Sequence, residues 1–163
     1  MKRDERALVG LPLRLVVYII VVALVVPIAW SSAQAYSRRT TENSIEYEIN
    51  YLERMISHIY IYHEDTRRVE VDFPSGFMAD LEWVEIGGGE NDPWSKLSTI
   101  RYKMSYTDVR TVVISEPNIP VTHFNNGESQ PLRLGEGQYT LYLENLEDDS
   151  FLNGTRSVEV SLL

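Results

Sequence analysis

Apolar residues fill positions 8 to 30 and then thin into a periodic stripe. From Leu8 to Trp30 the chain reads LVGLPLRLVVYIIVVALVVPIAW, with Arg14 as its only charge. As a helix rising ~1.5 Å per residue this segment extends about 35 Å, enough for a hydrocarbon layer of about 30 Å. The uncharged part, Leu15 to Trp30, is short for a bare span, so Arg14 is expected to snorkel to one interface and Trp30 to mark the other. The buried core helix of a soluble protein would need apolar partners, which nothing downstream supplies in sufficient amount. A cleaved secretory signal has an apolar core of only about 7–15 residues. Ala33-Gln34-Ala35 would offer such a signal its small-x-small site, but the run here is longer.

Between Ser31 and His63 there is neither Gly nor Pro. Ile45, Ile49, Leu52, Ile56 and Ile59 follow one another at spacings of 4, 3, 4 and 3, which puts them on one helical face. The helix is therefore expected to run on as a stem, interrupted at most near Ser37 to Asn43, where Thr40, Thr41, Glu42 and Asn43 have the chemistry of a new N-cap. The stripe has two destinations, the β-rich part of its own chain or a neighbouring copy. Tyr47, Tyr51, Tyr60 and Tyr62 on the stem share that ambiguity, because amphipathic rings suit both interfaces and sheet packing.

After His63 the period falls to two. Val69 to Phe73, Ile100 to Tyr106, Tyr139 to Leu143 and Ser157 to Leu163 alternate, and Met78 to Ile86 and Arg110 to Ser115 read as two more strands. Pro74-Ser75-Gly76, Gly87-Gly88-Gly89, Asn91-Asp92-Pro93, Asn125-Asn126-Gly127, Gly135-Glu136-Gly137 and Asn153-Gly154 supply the turns. The expected fold class is α+β: a long N-terminal helix followed by an antiparallel β-sandwich of six to eight strands, with an immunoglobulin-like arrangement as one option.

Charge sharpens the division. Of 15 Lys and Arg, four precede residue 31 and 11 follow; of 24 Asp and Glu, two precede it and 22 follow. So acidic a surface repels phosphate backbones, and no nucleic-acid partner is expected. Lys2, Arg3 and Arg6 before the span outnumber Arg38 and Arg39 after it, which favours a cytoplasmic N-terminus and an external β-domain. The absence of cysteine removes thiol catalysis, Cys-ligated zinc and disulfides.

The leader MKRDERA, ending in Arg6-Ala7 and followed at once by the apolar run, resembles the class III signal peptide of archaeal type IV pilin-like proteins. The resemblance covers about the first thirty residues. It implies a prepilin-peptidase cut between Ala7 and Leu8, so that Arg6, Ala7 and Leu8 form the processing site. It further implies a helix that sits in the lipid membrane before assembly and then self-associates in the core of a cell-surface filament. Two positions depart from the bacterial pilin pattern. Pro12 stands where the fifth mature residue is Glu, and no acid occurs between Ala7 and Thr41. Arg14 would need a partner or water inside a filament, although archaeal pilins need not carry that Glu.

Other motifs have bland accounts. Asn153-Gly154-Thr155 is an N-glycosylation sequon that doubles as a hairpin turn. His58 and His63 are five apart, not the four that align two imidazoles for a metal, and His123 is remote; no metal or other cofactor is expected. Alternation puts Asp80 and Glu82 on a solvated face and Leu81 and Trp83 on the other. Glu147-Asp148-Asp149 reads as a polar loop without the ligand pattern of a Ca²⁺ loop. The triple glycine lacks the Lys-Ser/Thr of a phosphate loop, and no G-x-S-x-G element occurs.

These readings divide the chain into a charged leader (1–7), a transmembrane or filament-core helix (8–30), a helical stem (31–63) and an extracytoplasmic β-domain (64–163). The expected role is structural rather than enzymatic: a pilin-like subunit. The alternative is a signal-anchored single-pass membrane protein whose β-domain binds a partner or ligand.

Overall fold

The computed structural model describes residues 5–63, 65–76, 79–89, 92–114, 118–125, 128–149 and 155–163, the side chains of 5–13 and 148–149 excepted. One helix, α1 (Glu5–Tyr62), takes up 58 residues, about 87 Å at ~1.5 Å per residue. It does not break near Ser37 to Asn43. The hydroxyls available for a new cap bond back into the helix instead: Thr40 donates to the Tyr36 carbonyl at 2.9 Å, Thr41 to Ser37 at 3.1 Å and Ser44 to Thr40 at 3.1 Å. The helix ends where His63 adopts a left-handed φ of 56°.

Nine strands and one short helix follow among the described residues: β1 (Thr66–Phe73), β2 (Leu81–Ile86), α2 (Trp94–Leu97), β3 (Thr99–Met104), β4 (Arg110–Val113), β5 (Val121–Asn125), β6 (Glu128–Gln130), β7 (Leu132–Leu134), β8 (Gly137–Asp149) and β9 (Thr155–Leu162). They form a five-stranded sheet, β1-β8-β9-β5-β6, and a four-stranded sheet, β4-β3-β2-β7. All pairings are antiparallel except β5 with β9, where Val121 lies opposite Val158. The fold is α+β: a long helix, then two mostly antiparallel sheets.

The core explains the stem. Ile45, Ile49, Leu52, Ile56 and Ile59 are essentially inaccessible and join one apolar cluster with Val69, Val71 and Phe73 of β1, Val84 and Ile86 of β2, Leu141 and Leu143 of β8 and Val158 and Val160 of β9. The stripe therefore packs on the chain's own sheets. The tyrosines divide: Tyr51 and Tyr60 pack against this core, whereas Tyr47 and Tyr62 remain exposed.

Two local expectations are corrected. A β-bulge between Leu81 and Trp83 inserts one residue into β2, so Leu81, Val84 and Ile86 face inward while Trp83 turns outward beneath the Arg133 guanidinium, 5.1 Å from its ring centroid. Glu147-Asp148-Asp149 is not a loop but the end of β8, where Asp149 pairs with Thr155. The three-residue strands β6 and β7 and the four-residue α2 are too short to leave a periodic signal. At Gly87, φ of 72° and the Val121 carbonyl oxygen, which a Cβ would strike, admit only glycine.

Candidate functional site

Among the described residues, a long stretch that makes no use of its apolar surface runs along α1 from Leu15 to Trp30. From Leu15 to Trp30 the large side chains are about half to two-thirds accessible, including Tyr18 at 68%, Ile28 at 66% and Trp30 at 54%. The contrast with the fully buried stripe from Ile45 to Ile59 lies within one continuous helix, so the difference is one of partner and not of local structure. By length and composition this segment is compatible with a single membrane span near the N-terminus. Ser31 and Ser32, at its far end, both donate to the Ile28 carbonyl at 2.9 Å, which satisfies their hydroxyls without water. Pro27 sits inside the helix one residue earlier, where it removes one backbone donor.

Beyond this segment, a neck locks α1 to the sheets. Tyr106 donates its hydroxyl to the Arg38 carbonyl at 3.2 Å, and the Arg38 guanidinium lies over the Tyr106 ring at 5.2 Å. Gly76 crosses the helix so closely that a Cβ there would overlap the Thr41 hydroxyl and the Ala79 carbonyl. Arg110 then forks between two helix carboxylates, donating to Glu46 at 2.6 Å and pairing with Glu42. Tyr102 donates to the same Glu46 at 3.0 Å. Burial, above all, and the neighbouring Glu46 push the Tyr102 phenol up to about 12, against the opposing influence of Arg110. Burial likewise raises Tyr106.

At the top of the helix Arg156 of β9 donates to the Tyr60 carbonyl, to Asn145 at 2.9 Å and to His63 Nε2 at 3.3 Å, and it stacks on the Tyr60 ring at 4.4 Å. It satisfies a carbonyl that the end of the helix leaves open. Neck and cap together fix the stem at both ends of the domain.

Two shallow grooves flank the stem. One of about 530 Å³ is lined by Thr40, Asn43, Ser44, Tyr47, Glu48, Asp72 and Pro74; the second, about 500 Å³, shares Glu48 and Asp72 and continues to Gln138 and Tyr139. Neither brings together an acid, a base and a nucleophile.

Of the residues singled out in the sequence, Arg6, Ala7 and Leu8 lie within the first turns of α1, and Asn153 lies outside the described residues. The histidines are dispersed: His58 Nδ1 accepts from Arg67 at 3.3 Å, His63 accepts from Arg156, and His123 Nδ1 donates to the Val160 carbonyl at 2.8 Å. Glu82 pairs with Lys103 at 2.6 Å and Glu85 with Arg101, so these carboxylates serve cross-strand ion pairs. No group of three or more His, Asp or Glu able to hold a metal occurs among the described residues. The neck residues Tyr102, Tyr106 and Arg110 went unnoticed in the sequence, because 56 to 68 positions separate them from their helix partners and no motif spans that gap.

No family model matches the chain, and neither does any curated protein or solved structure.

Proposed function

We propose that the chain is a pilin-like structural subunit of an archaeal cell-surface filament, held in the membrane by residues 8–30 until it assembles. The observation that carries this reading is the unbroken α1, whose second half is consumed by its own domain while Leu15 to Trp30 find no covering partner among the described residues. Such a surface is costly in water, and lipid or copies of the same helix would cover it. The Arg6-Ala7 leader supplies the cut that would free the helix for assembly, with the N-terminus cytoplasmic and the β-domain outside. The β-domain is read as a sandwich, supported by the shared apolar core of its two sheets. The reading assigns the chain no catalysis and no cofactor; its partners are the membrane, a prepilin peptidase and other copies of itself. Intact-mass and N-terminal measurement of the native protein tests it, the expected result being a chain that begins at Leu8. A native chain still carrying Met1 would overturn it.

A signal-anchored membrane protein is the second reading, and Arg14 favours it. This guanidinium lies exposed on the apolar face, and the sequence holds no acid between Ala7 and Thr41 to meet it in a neighbouring helix at the same level. At a membrane interface it needs no protein partner, whereas in a dry filament core it does. Electron microscopy of sheared surface material separates the two, since recovery only from detergent-solubilised membranes supports the anchor.

A further inference from the structure

Because α1 is continuous, positions along it convert directly into heights. With Arg14 at one edge of a hydrocarbon layer of about 30 Å, the other edge falls some twenty residues on, near Gln34, one helical turn past Trp30, which keeps that ring within the interfacial belt. Arg38 and Arg39 then lie ~6–8 Å beyond that edge, at the outer side of a headgroup layer of about 5–7 Å, where their long side chains reach the phosphates. Thr41, the first residue of α1 buried by the domain, follows two residues later. No spacer separates bilayer and domain.

The chemistry at that height suits phosphate. The sequence from Leu8 to Thr40 contains no acid and three arginines, in a chain that is otherwise strongly acidic. Arg38 and Arg39 are exposed, and Arg39 makes no side-chain hydrogen bond or ion pair among the described residues. Arg38 is held over the Tyr106 ring, which orients its guanidinium at the lower rim of the domain. Asp80, whose carbonyl accepts from the Ser105 amide beside Tyr106, is exposed at the same rim and would be repelled by lipid phosphate without the two cations.

We infer that Arg38 and Arg39 form a phosphate-binding collar that seats the β-domain directly on the lipid headgroups of the leaflet on its side. The inference rests on the membrane-inserted state shared by both readings above. The collar ties the height and tilt of the whole domain to the headgroup layer, since the neck passes the position of Arg38 to β3 and β4 without a flexible joint.

The full chain has no cysteine, so Ser75→Cys, in the exposed loop beside Thr41, accepts a single dye. Energy transfer from that dye to an acceptor on the lipid headgroup reads the height of the domain. Two bilayers are compared: nanodiscs of phosphatidylcholine with phosphatidylglycerol, and nanodiscs of uncharged, phosphate-free galactolipid. In phospholipid, Arg38→Gln with Arg39→Gln should lift or tilt the domain by about 5 Å, the depth of one headgroup layer. Arg39→Gln alone, which removes no hydrogen bond or ion pair among the described residues, should move it in the same direction. Lys at both positions should restore most of the native transfer, and in galactolipid the native chain should behave as the Gln variant does. Equal transfer from native and Gln variants in phospholipid, or equal native transfer in both lipids, would overturn the collar. Release of the chain from vesicles by alkaline carbonate would overturn the membrane reading itself, and the collar with it.

Discussion

At Tyr102 a phenol is shared between burial and two charges of opposite sign. Its hydroxyl donates to the same Glu46 Oε1 that Arg110 grips, so the neutral phenol and the guanidinium share one carboxylate oxygen. Burial raises its pKa from 10.0 to about 12, which makes the folded state hold this proton more tightly than the unfolded state. The sign follows: the contribution is fully present below about pH 10 and is lost as pH climbs toward about 12. Chemical denaturation of native protein and Tyr102→Phe between pH 9 and 11.5 checks this, with the native midpoint expected to fall more steeply than the variant's. Arg110 is itself nearly half accessible, so solvent screens its two ion pairs and their worth is modest, on the order of 1 kcal/mol.

At the scale of the element, α1 shows what a single helix does when its two halves meet different surroundings. Leu52 is completely buried and Tyr47 is exposed on the opposite side of the stem. Leu52→Ala should cost about 2–5 kcal/mol through lost burial and the cavity left behind. Tyr47→Ala should change stability by no more than about 0.5 kcal/mol. Urea denaturation of both variants gives the comparison, and equal losses would mean that the stripe is not what binds stem to sheet. The stripe was legible in advance because its 4-3-4-3 spacing is the helical period itself, and the longer strands because alternation survives over five or more residues. The destination of the stripe was not, since periodicity identifies an apolar face without naming what covers it. Thr40 and Thr41 illustrate a subtler limit: the same hydroxyls that cap a helix can bond inside one, and the choice depends on whether the following residues gain more from continuing. For Trp83, one bulged residue reversed the face that alternation assigned, and nothing in the sequence of β2 announces the bulge. The neck was illegible for a different reason, because its partners come from strands paired only through tertiary contacts.

The whole molecule divides by solvent more sharply than by secondary structure. Beyond Tyr36 the exposed large apolar residues, such as Tyr47, Trp94, Val113 and Leu162, are scattered over separate elements, as on ordinary soluble domains. A chain beginning at Ser37 retains the neck, the stripe and every strand among the described residues. It should therefore be monomeric without detergent and keep the near-ultraviolet circular dichroism of the full chain, while the full chain should need lipid or detergent. Sedimentation velocity and dichroism decide this, and aggregation of the shortened chain would show that residues before Ser37 belong to the fold. The order of strands carries a consequence for how such a molecule comes to exist. In β1-β8-β9-β5-β6 the middle strand, β9, follows the other four in chain order, and among the described strands it joins β8 to β5. The helix and the other four strands of that sheet therefore all precede in the chain the strand on which its closure depends. Closure of this sheet is thus governed by its most distant pairings along the chain, since β1 must await β8 and β5 must await β9.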